Sequence, residues 1–263
     1  MTAPARRGLL VLAYHAISPS WRHPLSTTPE AFRSQLALLA ARGYRGVTFS
    51  DAARSPSRER RVAVTFDDAF RSAAVHGRPI LDELGWPATV FVPTTPVTTR
   101  EAMHWLGGQG GEVESMTWDD VEELAAHGWE VGSHSRTHRL LSELPPAEAA
   151  EELAGSLEEV RGHVGRCDAI SYPWGEVVPA VVEVARRAGY STGSGLGGRF
   201  GFGDPMRVPR VAIADADGTG LRFRLKISPL FWRARATPPW ALVERARPAS
   251  RPAENAAQSS AKV

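Results

Sequence analysis

The chain of 263 residues is poor in several features that would assign it to a protein class. One cysteine, Cys167, excludes an internal disulfide and a cysteine-based metal site. No apolar run approaches the roughly 18 residues that a membrane-spanning helix needs, so we expect none. The net charge is only +2 and no nucleic-acid-binding motif is present, so we expect no nucleic acid partner. No Gly-rich loop with a partner lysine is evident, which disfavours phosphoryl transfer.

Short apolar runs alternate with longer amphipathic segments along most of the chain. The first run, Leu9–Ala13, follows Arg6 and Arg7 but is too short for a typical signal-peptide core, so we interpret it as a buried strand. Helix start signals lie between the runs, such as Thr28-Pro29 and Thr117. This βαβα alternation predicts an α/β fold, and we favour a single-domain distorted (β/α) barrel of about seven strands over an open sheet.

Paired acids and paired histidines each follow a predicted strand. Asp67 and Asp68 come after the run 61–66, and His134 and His138 come after the run 130–133. In parallel α/β folds, ligands bind at the carboxyl ends of the strands, so these side chains should meet on one face. Two imidazoles and one carboxylate form a three-ligand metal set with positions left for water. The aspartate that does not bind the metal would then be free to face the attacking water.

The motifs around these residues resemble those of the polysaccharide deacetylases of carbohydrate esterase family 4, also called NodB-homology proteins. Thr65-Phe-Asp-Asp68 is similar to the first motif of the family, Ser133-His-Ser-Arg-Thr-His138 to the second and Ser171-Tyr-Pro-Trp-Gly175 to the third. The resemblance covers about residues 8 to 213.

The resemblance implies a metal-dependent removal of acetyl groups from an N-acetylated carbohydrate. Asp68, His134 and His138 would hold one divalent ion, often Zn²⁺, and Asp67 would be the general base toward water. The backbone amide of Trp174 would help to bind the oxyanion, in a loop whose shape Pro173 and Gly175 restrict.

The chain departs from the common family pattern at three places. Ser171 stands where an arginine usually supports the catalytic aspartate, and Ala69 stands where a glycine usually follows the acid pair. No histidine follows His163, so the C-terminal motif that usually supplies the general acid is missing. A subset of the family has this histidine in a Tyr-His pair after the first strand, and His15 matches it. We therefore assign His15 as the acid, with a hydrogen-bonded structural histidine as the alternative.

Two other functions stay open at this stage. One is a metal-dependent amidohydrolase of a small cyclic imide or ureide, because a fold does not fix its substrate. The other is a catalytically inactive sugar-binding homologue, which the missing arginine at position 171 and the altered C-terminal motif suggest. Arg207 and Arg210, in the last predicted strand, are candidates to meet Asp67 or an anionic substrate group.

The C-terminal part differs in composition from the predicted barrel of residues 1–220. Residues 221–236 carry five Arg or Lys and no Asp or Glu, with apolar residues at alternate positions from Leu221 to Ile227. We expect a half-exposed edge strand there, or else contact with an anionic membrane. Residues 237–263 lose all periodicity and are predicted to be disordered. The expected location is cytoplasmic, with peripheral membrane contact through residues 221–236 as an option.

Overall fold

The computed structural model describes residues 9–55, 59–107, 113–196 and 204–228. Seven parallel strands close into a barrel in the order β1-β10-β9-β8-β7-β6-β5, and β5 pairs with β1 to complete the ring. This arrangement confirms the predicted single-domain (β/α) barrel. The strands are β1 (Leu9–Tyr14), β2 (Ala16–Ile17), β3 (Ser26–Thr27), β4 (Arg45–Val47), β5 (Arg61–Phe66), β6 (Thr89–Val92), β7 (Glu130–Ser133), β8 (Ala169–Ser171), β9 (Thr192–Leu196) and β10 (Val208–Ala212).

Closure depends on β5, which pairs with three other strands. It aligns with β1 along its full length, from Leu9 opposite Arg61 to Tyr14 opposite Phe66. On its other edge, β4 pairs with residues 61–63 and β6 pairs with residues 65–66. The short ribbon of β2 and β3 follows directly beyond the end of β1. The carboxyl ends of β1 and β5 are therefore adjacent.

Helices connect the strands, and several begin where the sequence predicted. The helices are α1 (Pro29–Ala41), α2 (Phe49–Arg54), α3 (Arg78–Asp82), α4 (Thr94–Thr99), α5 (Trp118–Ala126), α6 (Pro146–Val164), α7 (Pro179–Ala188) and α8 (Leu221–Lys226). The Thr28 side chain caps α1, which has Pro29 in its first turn. Thr117 and Asp120 form a reciprocal capping box at the start of α5.

The amino end of the barrel is filled with apolar side chains. Phe49 and Ala52 of α2 pack in one buried cluster with Val11, Phe91 and other strand residues. The rings of Phe49 and Phe91 meet edge to face at 5.5 Å between centroids. The acid pair and the two histidines lie at the other end, because they follow the carboxyl ends of β5 and β7.

The expectation of an edge strand at residues 221–227 is wrong, because Leu221–Lys226 forms α8. Phe223 and Ile227, four residues apart, are buried in the main core, whereas Leu221 and Leu225 are exposed. Apolar residues at every second position fit a strand, but two apolar residues four positions apart also fit one face of a helix. Packing of Phe223 and Ile227 against the core selects the helix. The packed unit thus continues past residue 220 to at least Ile227.

None of the helices in the described ranges combines the length and the apolar character needed to cross a lipid bilayer. The predicted disordered tail, residues 237–263, lies outside the described residues. Half of the basic segment, residues 229–236, also lies outside them.

Candidate metal and catalytic site

Three predicted metal ligands converge at the carboxyl end of the barrel. Asp68 follows β5, and His134 follows β7 directly. The Nε2 atoms of His134 and His138 lie 3.5 and 3.4 Å from Asp68 Oδ1. One ligand atom from each of the three residues lies within 4.8 Å of the others, and all three side chains are buried. This spacing lets one cation contact all three, so the chain has a candidate metal site.

The electrostatic state of these ligands fits a cation. Asp68 Oδ1 is buried and has no hydrogen-bond partner among the described residues. Burial, and then the charge of Asp67, raise the pKa of Asp68 to about 8. Burial lowers the pKa values of His134 and His138, so both imidazoles are neutral and can offer a lone pair. A carboxylate and two neutral imidazoles form a donor set that suits Zn²⁺ and other divalent transition metals.

The tautomer of His134 is set by a backbone contact. Its Nδ1 donates to the carbonyl oxygen of Ser171 at 2.6 Å, which leaves Nε2 as the atom that faces Asp68. Metal-binding histidines typically use the second ring nitrogen in this way.

A buried glutamate organises the loop between the two histidines. Glu152 of α6 accepts hydrogen bonds from the backbone N–H groups of Arg136 and Thr137 at 3.0 and 2.9 Å. It also accepts one from the Thr137 hydroxyl at 2.6 Å. The loop turns back toward the barrel, and the backbone N–H of His138 donates to Ser135 Oγ at 3.1 Å. Glu152 was not predicted from the sequence, in which its signal is an acid on the inward face of an amphipathic helix.

Unusual backbone conformations concentrate at this site. Of the six non-glycine residues with positive φ in the described part of the chain, five lie in the loops after β5, β7 and β8 that build it. Such conformations persist only where surrounding contacts impose them, and they are common at functional sites. The five are Asp68, Ala69, Ser135, His138 and Trp174.

Asp67 faces Arg210 and is not part of the ligand group. The Arg210 guanidinium, fully buried in β10, donates to both carboxylate oxygens of Asp67 at 2.7 Å. It also donates to the hydroxyls of Thr65 and Ser171, at 2.9 and 2.7 Å. Burial alone would raise the pKa of Asp67, but Arg210 and the nearby imidazoles outweigh it and hold that pKa well below its ordinary value. Asp67 is therefore ionised at any working pH.

This contact explains the departure at position 171. The serine there donates its hydroxyl to Asp67 at 3.3 Å and accepts from Arg210, so the arginine that supports Asp67 comes from β10. Arg207 and Arg210 were the two candidates to meet Asp67, and Arg210 is the one that pairs with it. The available signal was one charged residue inside an otherwise apolar strand, Val208–Ala212.

His15 lies directly after β1, half-buried, within the same group of charges. Burial lowers its pKa to about 4, although the negative charge of Asp67 opposes the shift. The imidazole is consequently neutral at pH 7 in the free protein.

The loop after β8 lies against the second histidine. The indole N–H of Trp174 donates to the carbonyl oxygen of His138 at 3.2 Å, and this side chain is 41% exposed. Trp174 and Gly175 have φ of 62° and 71°. A Cβ on Gly175 would lie 2.5 Å from Leu196 Cβ, so the loop needs glycine at that position.

Comparison with known proteins decides the family. The polysaccharide deacetylase family model matches residues 54–193, which contain the acid pair, both histidines and Gly175. The chain belongs to the polysaccharide deacetylase family. A Bacillus subtilis (strain 168) protein named as a polysaccharide deacetylase, YxkH, is 28% identical over 193 residues. That match covers 70% of this chain but only 63% of YxkH.

Solved structures show the same fold. IcaB from Ammonifex degensii is 27% identical and superimposes with a TM-score of 0.67, over 81% of this chain and 94% of that one. The Streptococcus pyogenes deacetylase PplD, solved with acetate, gives a TM-score of 0.71 at 20% identity, over 84% of this chain and 98% of its own. At 20% identity, the similarity to PplD shows only that the two proteins share the barrel fold.

Proposed function

We propose that this polysaccharide deacetylase family member is a metal-dependent hydrolase that removes the acetyl group from an N-acetylated sugar. One observation carries the proposal: an Asp68–His134–His138 ligand group lies beside a second carboxylate, Asp67, that Arg210 keeps ionised. The two adjacent acids thus have different partners, as separate metal-binding and proton-accepting roles require.

Asp68, His134 and His138 would hold the ion, and Zn²⁺ is the ion we propose. A bound divalent ion would supply Lewis acidity toward the acetamide carbonyl and would lower the pKa of a nearby water.

Asp67 is the proposed general base. Because Arg210 binds both of its oxygens, the carboxylate has a fixed orientation and cannot rotate away from the neighbouring ligand group. Its proton affinity is low, so its contribution depends on positioning more than on basicity.

His15 is the proposed acid for the amine leaving group, and the loop of Pro173, Trp174 and Gly175 would present the backbone N–H of Trp174 to the oxyanion. In the free protein His15 is neutral, so it must gain a proton during the cycle before it can donate one.

The acid role of His15 can be tested directly by changing the leaving group of the substrate. His15→Ala should lose deacetylation of an N-acetyl sugar but keep hydrolysis of 4-nitrophenyl acetate, whose leaving group needs no proton. Equal loss on both substrates would contradict the acid role and favour a structural one.

The main experiment measures acetate release from N-acetylglucosamine oligomers after the metal has been stripped and then restored with zinc. We expect Asp68→Ala and His134→Ala to lose both metal and activity, and Asp67→Asn to lose activity while it retains metal. His163→Ala changes an exposed histidine that pairs with Glu122 and serves as the control. A wild-type protein that shows no metal-dependent release from any acetylated sugar would refute the proposal.

The alternative of an inactive sugar-binding homologue was based on the missing arginine at position 171 and on the altered C-terminal motif. Arg210 contacts Asp67, so the first reason no longer applies. The His15→Ala test addresses the second reason. A small-amide substrate stays testable in the same assay, with a cyclic imide in place of the sugar.

We also propose a lipid-linked substrate, reached through peripheral contact with an anionic membrane. In α8, Leu221 and Leu225 are 73% and 49% exposed beside Arg222 and Arg224, which is a cationic and apolar surface. Wild-type protein should sediment with vesicles that contain phosphatidylglycerol, and the Leu221→Asp/Leu225→Asp double variant should not. Equal sedimentation of both proteins would contradict this contact. Cytoplasmic residence stays a prediction.

A further inference from the structure

Trp105 covers one of the two metal-binding histidines. Its indole ring stacks on the His138 imidazole, with 4.1 Å between centroids and 24° between planes. Trp105 comes from the segment between α4 and α5, which contains none of the family motifs. The side chain is 8% exposed, so its ring is enclosed against the site.

The indole N–H of Trp105 is also near the first ligand. The ring stacks on His138, whose Nε2 atom lies 3.4 Å from Asp68 Oδ1. Yet Trp105 Nε1 and Asp68 Oδ1 are both buried without an aligned hydrogen-bond partner among the described residues. The group of side chains around His138 thus contains a buried N–H donor and a buried acceptor whose hydrogen-bonding capacity is unused.

Contacts outside the metal site hold Trp105 in place. It belongs to a separate apolar cluster with Ala16, Trp21, Phe70 and Met103, built from the loops that follow β1, β5 and β6. Trp21 and Phe70 pack together within this cluster at 5.6 Å between ring centroids. Because these contacts do not involve the ligands, the indole position is fixed before any metal binds.

A second tryptophan–histidine stack in the chain shows what packing alone requires. Trp118 stacks on His163 at 3.9 Å and 5°, neither residue belongs to the ligand group, and Trp118 is partly exposed. Its indole N–H is satisfied by the Thr98 hydroxyl at 3.0 Å. Trp105 differs because its buried N–H has no such partner among the described residues and its ring lies against the ligand group.

We propose that Trp105 is a positioning residue of the metal site, which fixes Asp68 through its indole N–H and His138 through ring stacking. The inference rests on the proposed metal site. Residues that contact the metal ligands without binding the metal themselves commonly change metal affinity 10- to 100-fold when they are replaced.

The experiment measures the zinc dissociation constant of the full chain by competition with a chromophoric chelator. Trp105→Phe keeps the stacked ring and removes only the N–H, and we expect about tenfold weaker binding. Trp105→Leu removes both contacts and should weaken binding further. Trp118→Phe, the matched control, should bind zinc like the wild type. Thermal unfolding in EDTA measures any loss of stability separately. A purely structural role of Trp105 would lower the unfolding temperature, but zinc affinity would not fall stepwise from the wild type to Trp105→Phe to Trp105→Leu.

The outcomes distinguish this inference from the function on which it rests. If the wild type does not bind zinc, the metal site itself is refuted. If the wild type binds zinc and Trp105→Phe binds it within twofold, only the role of the indole N–H is refuted.

A second measurement needs no stable variant of the site. The eight tryptophans give eight indole N–H resonances in a ¹⁵N-labelled protein. Zinc should shift the Trp105 resonance and slow its exchange with solvent, because the N–H gains a fixed carboxylate acceptor. An unchanged Trp105 resonance at saturating zinc would overturn the proposal.

Discussion

Arg210→Gln removes the contact that keeps Asp67, the proposed general base, ionised. Arg210 and Asp67 are 0% and 3% exposed in their side chains and share two hydrogen bonds of 2.7 Å. Glutamine keeps part of the volume and can still reach a hydroxyl, but it removes the charge that balances Asp67. The variant therefore leaves a buried carboxylate without its cation.

The expected loss of stability is large for one substitution. Removal of one partner from a buried ion pair typically costs about 3–5 kcal/mol. For a domain of this size, that corresponds to a fall of roughly 6–20 °C in the unfolding temperature. Arg186 and Asp204 form an ion pair at 2.6 Å whose side chains are 43% and 35% exposed. Arg186→Gln is thus a matched control that should cost only about 0–1 kcal/mol.

The dependence on pH has a defined sign. In the wild type the pKa of Asp67 is depressed, so the pair contributes stability above about pH 4 and loses it as the pH falls toward the folded-state value. In Arg210→Gln, burial acts without compensation and raises the pKa of Asp67. The stability difference between variant and wild type should therefore be greatest at pH 7 and should shrink on acidification.

Urea unfolding in EDTA at pH 7 and pH 5 measures this difference. The acid limb of kcat/KM should also move to higher pH in the variant, because the base becomes protonated sooner. A loss below 1 kcal/mol at pH 7, or an equal loss at both pH values, would refute our account of Asp67.

Three further substitutions or reactions test other parts of the structure. Glu152→Gln can no longer accept all of its loop hydrogen bonds, so we expect a loss of about 1–3 kcal/mol in urea unfolding and weaker zinc binding, unlike the control Glu158→Gln at an exposed position of the same helix. Gly175→Ala places a Cβ against Leu196, so kcat should fall and stability should drop by about 1–3 kcal/mol, and unchanged kinetics would contradict the crowding of this loop. Cys167 is buried with its pKa raised to about 12, so Ellman's reagent at pH 8 should react with it only after unfolding in urea.

The sequence predicted the parts of the site that follow strands. Asp67, Asp68 and His134 lie next to the strands that precede them, and one rule about parallel sheets brings them to one face. His138 is four residues beyond His134, so its position needed only a turn of the loop. Local sequence carries this information because each side chain lies close to the end of a recognisable apolar run.

Other parts of the site could not be predicted, because their partners are distant in sequence. Arg210 meets Asp67 across 143 residues, and only closure of the barrel brings β10 near β5. Trp105 reaches His138 from a segment with no motif, so nothing local distinguished it from a core tryptophan. The helix at Leu221–Lys226 was misread as a strand for a related reason, since its short apolar pattern fits two periods and only the burial of Phe223 selects one.

The two adjacent aspartates finally imply that metal binding and stability are coupled. Both carboxylates are buried, but Arg210 balances only Asp67, so Asp68 has a pKa near 8 until a cation arrives. A raised carboxyl pKa means that the metal-free protein loses stability as the pH rises from about 4 to about 8. The full shift would correspond to at most about 6 kcal/mol, and relaxation of the chain reduces that amount.

Asp68→Asn removes this charge, and asparagine tolerates the positive φ of position 68. In EDTA at pH 8 we therefore expect the variant to be more stable than the wild type, although it binds zinc poorly. Zinc at 100-fold excess over the dissociation constant should stabilise only the wild type, by about 2.7 kcal/mol, and should narrow or remove this difference. Thermal unfolding of both proteins with and without zinc measures all four states. A metal-free Asp68→Asn that unfolds below the metal-free wild type would show that Asp68 is balanced by the protein itself, and that the site does not need a cation.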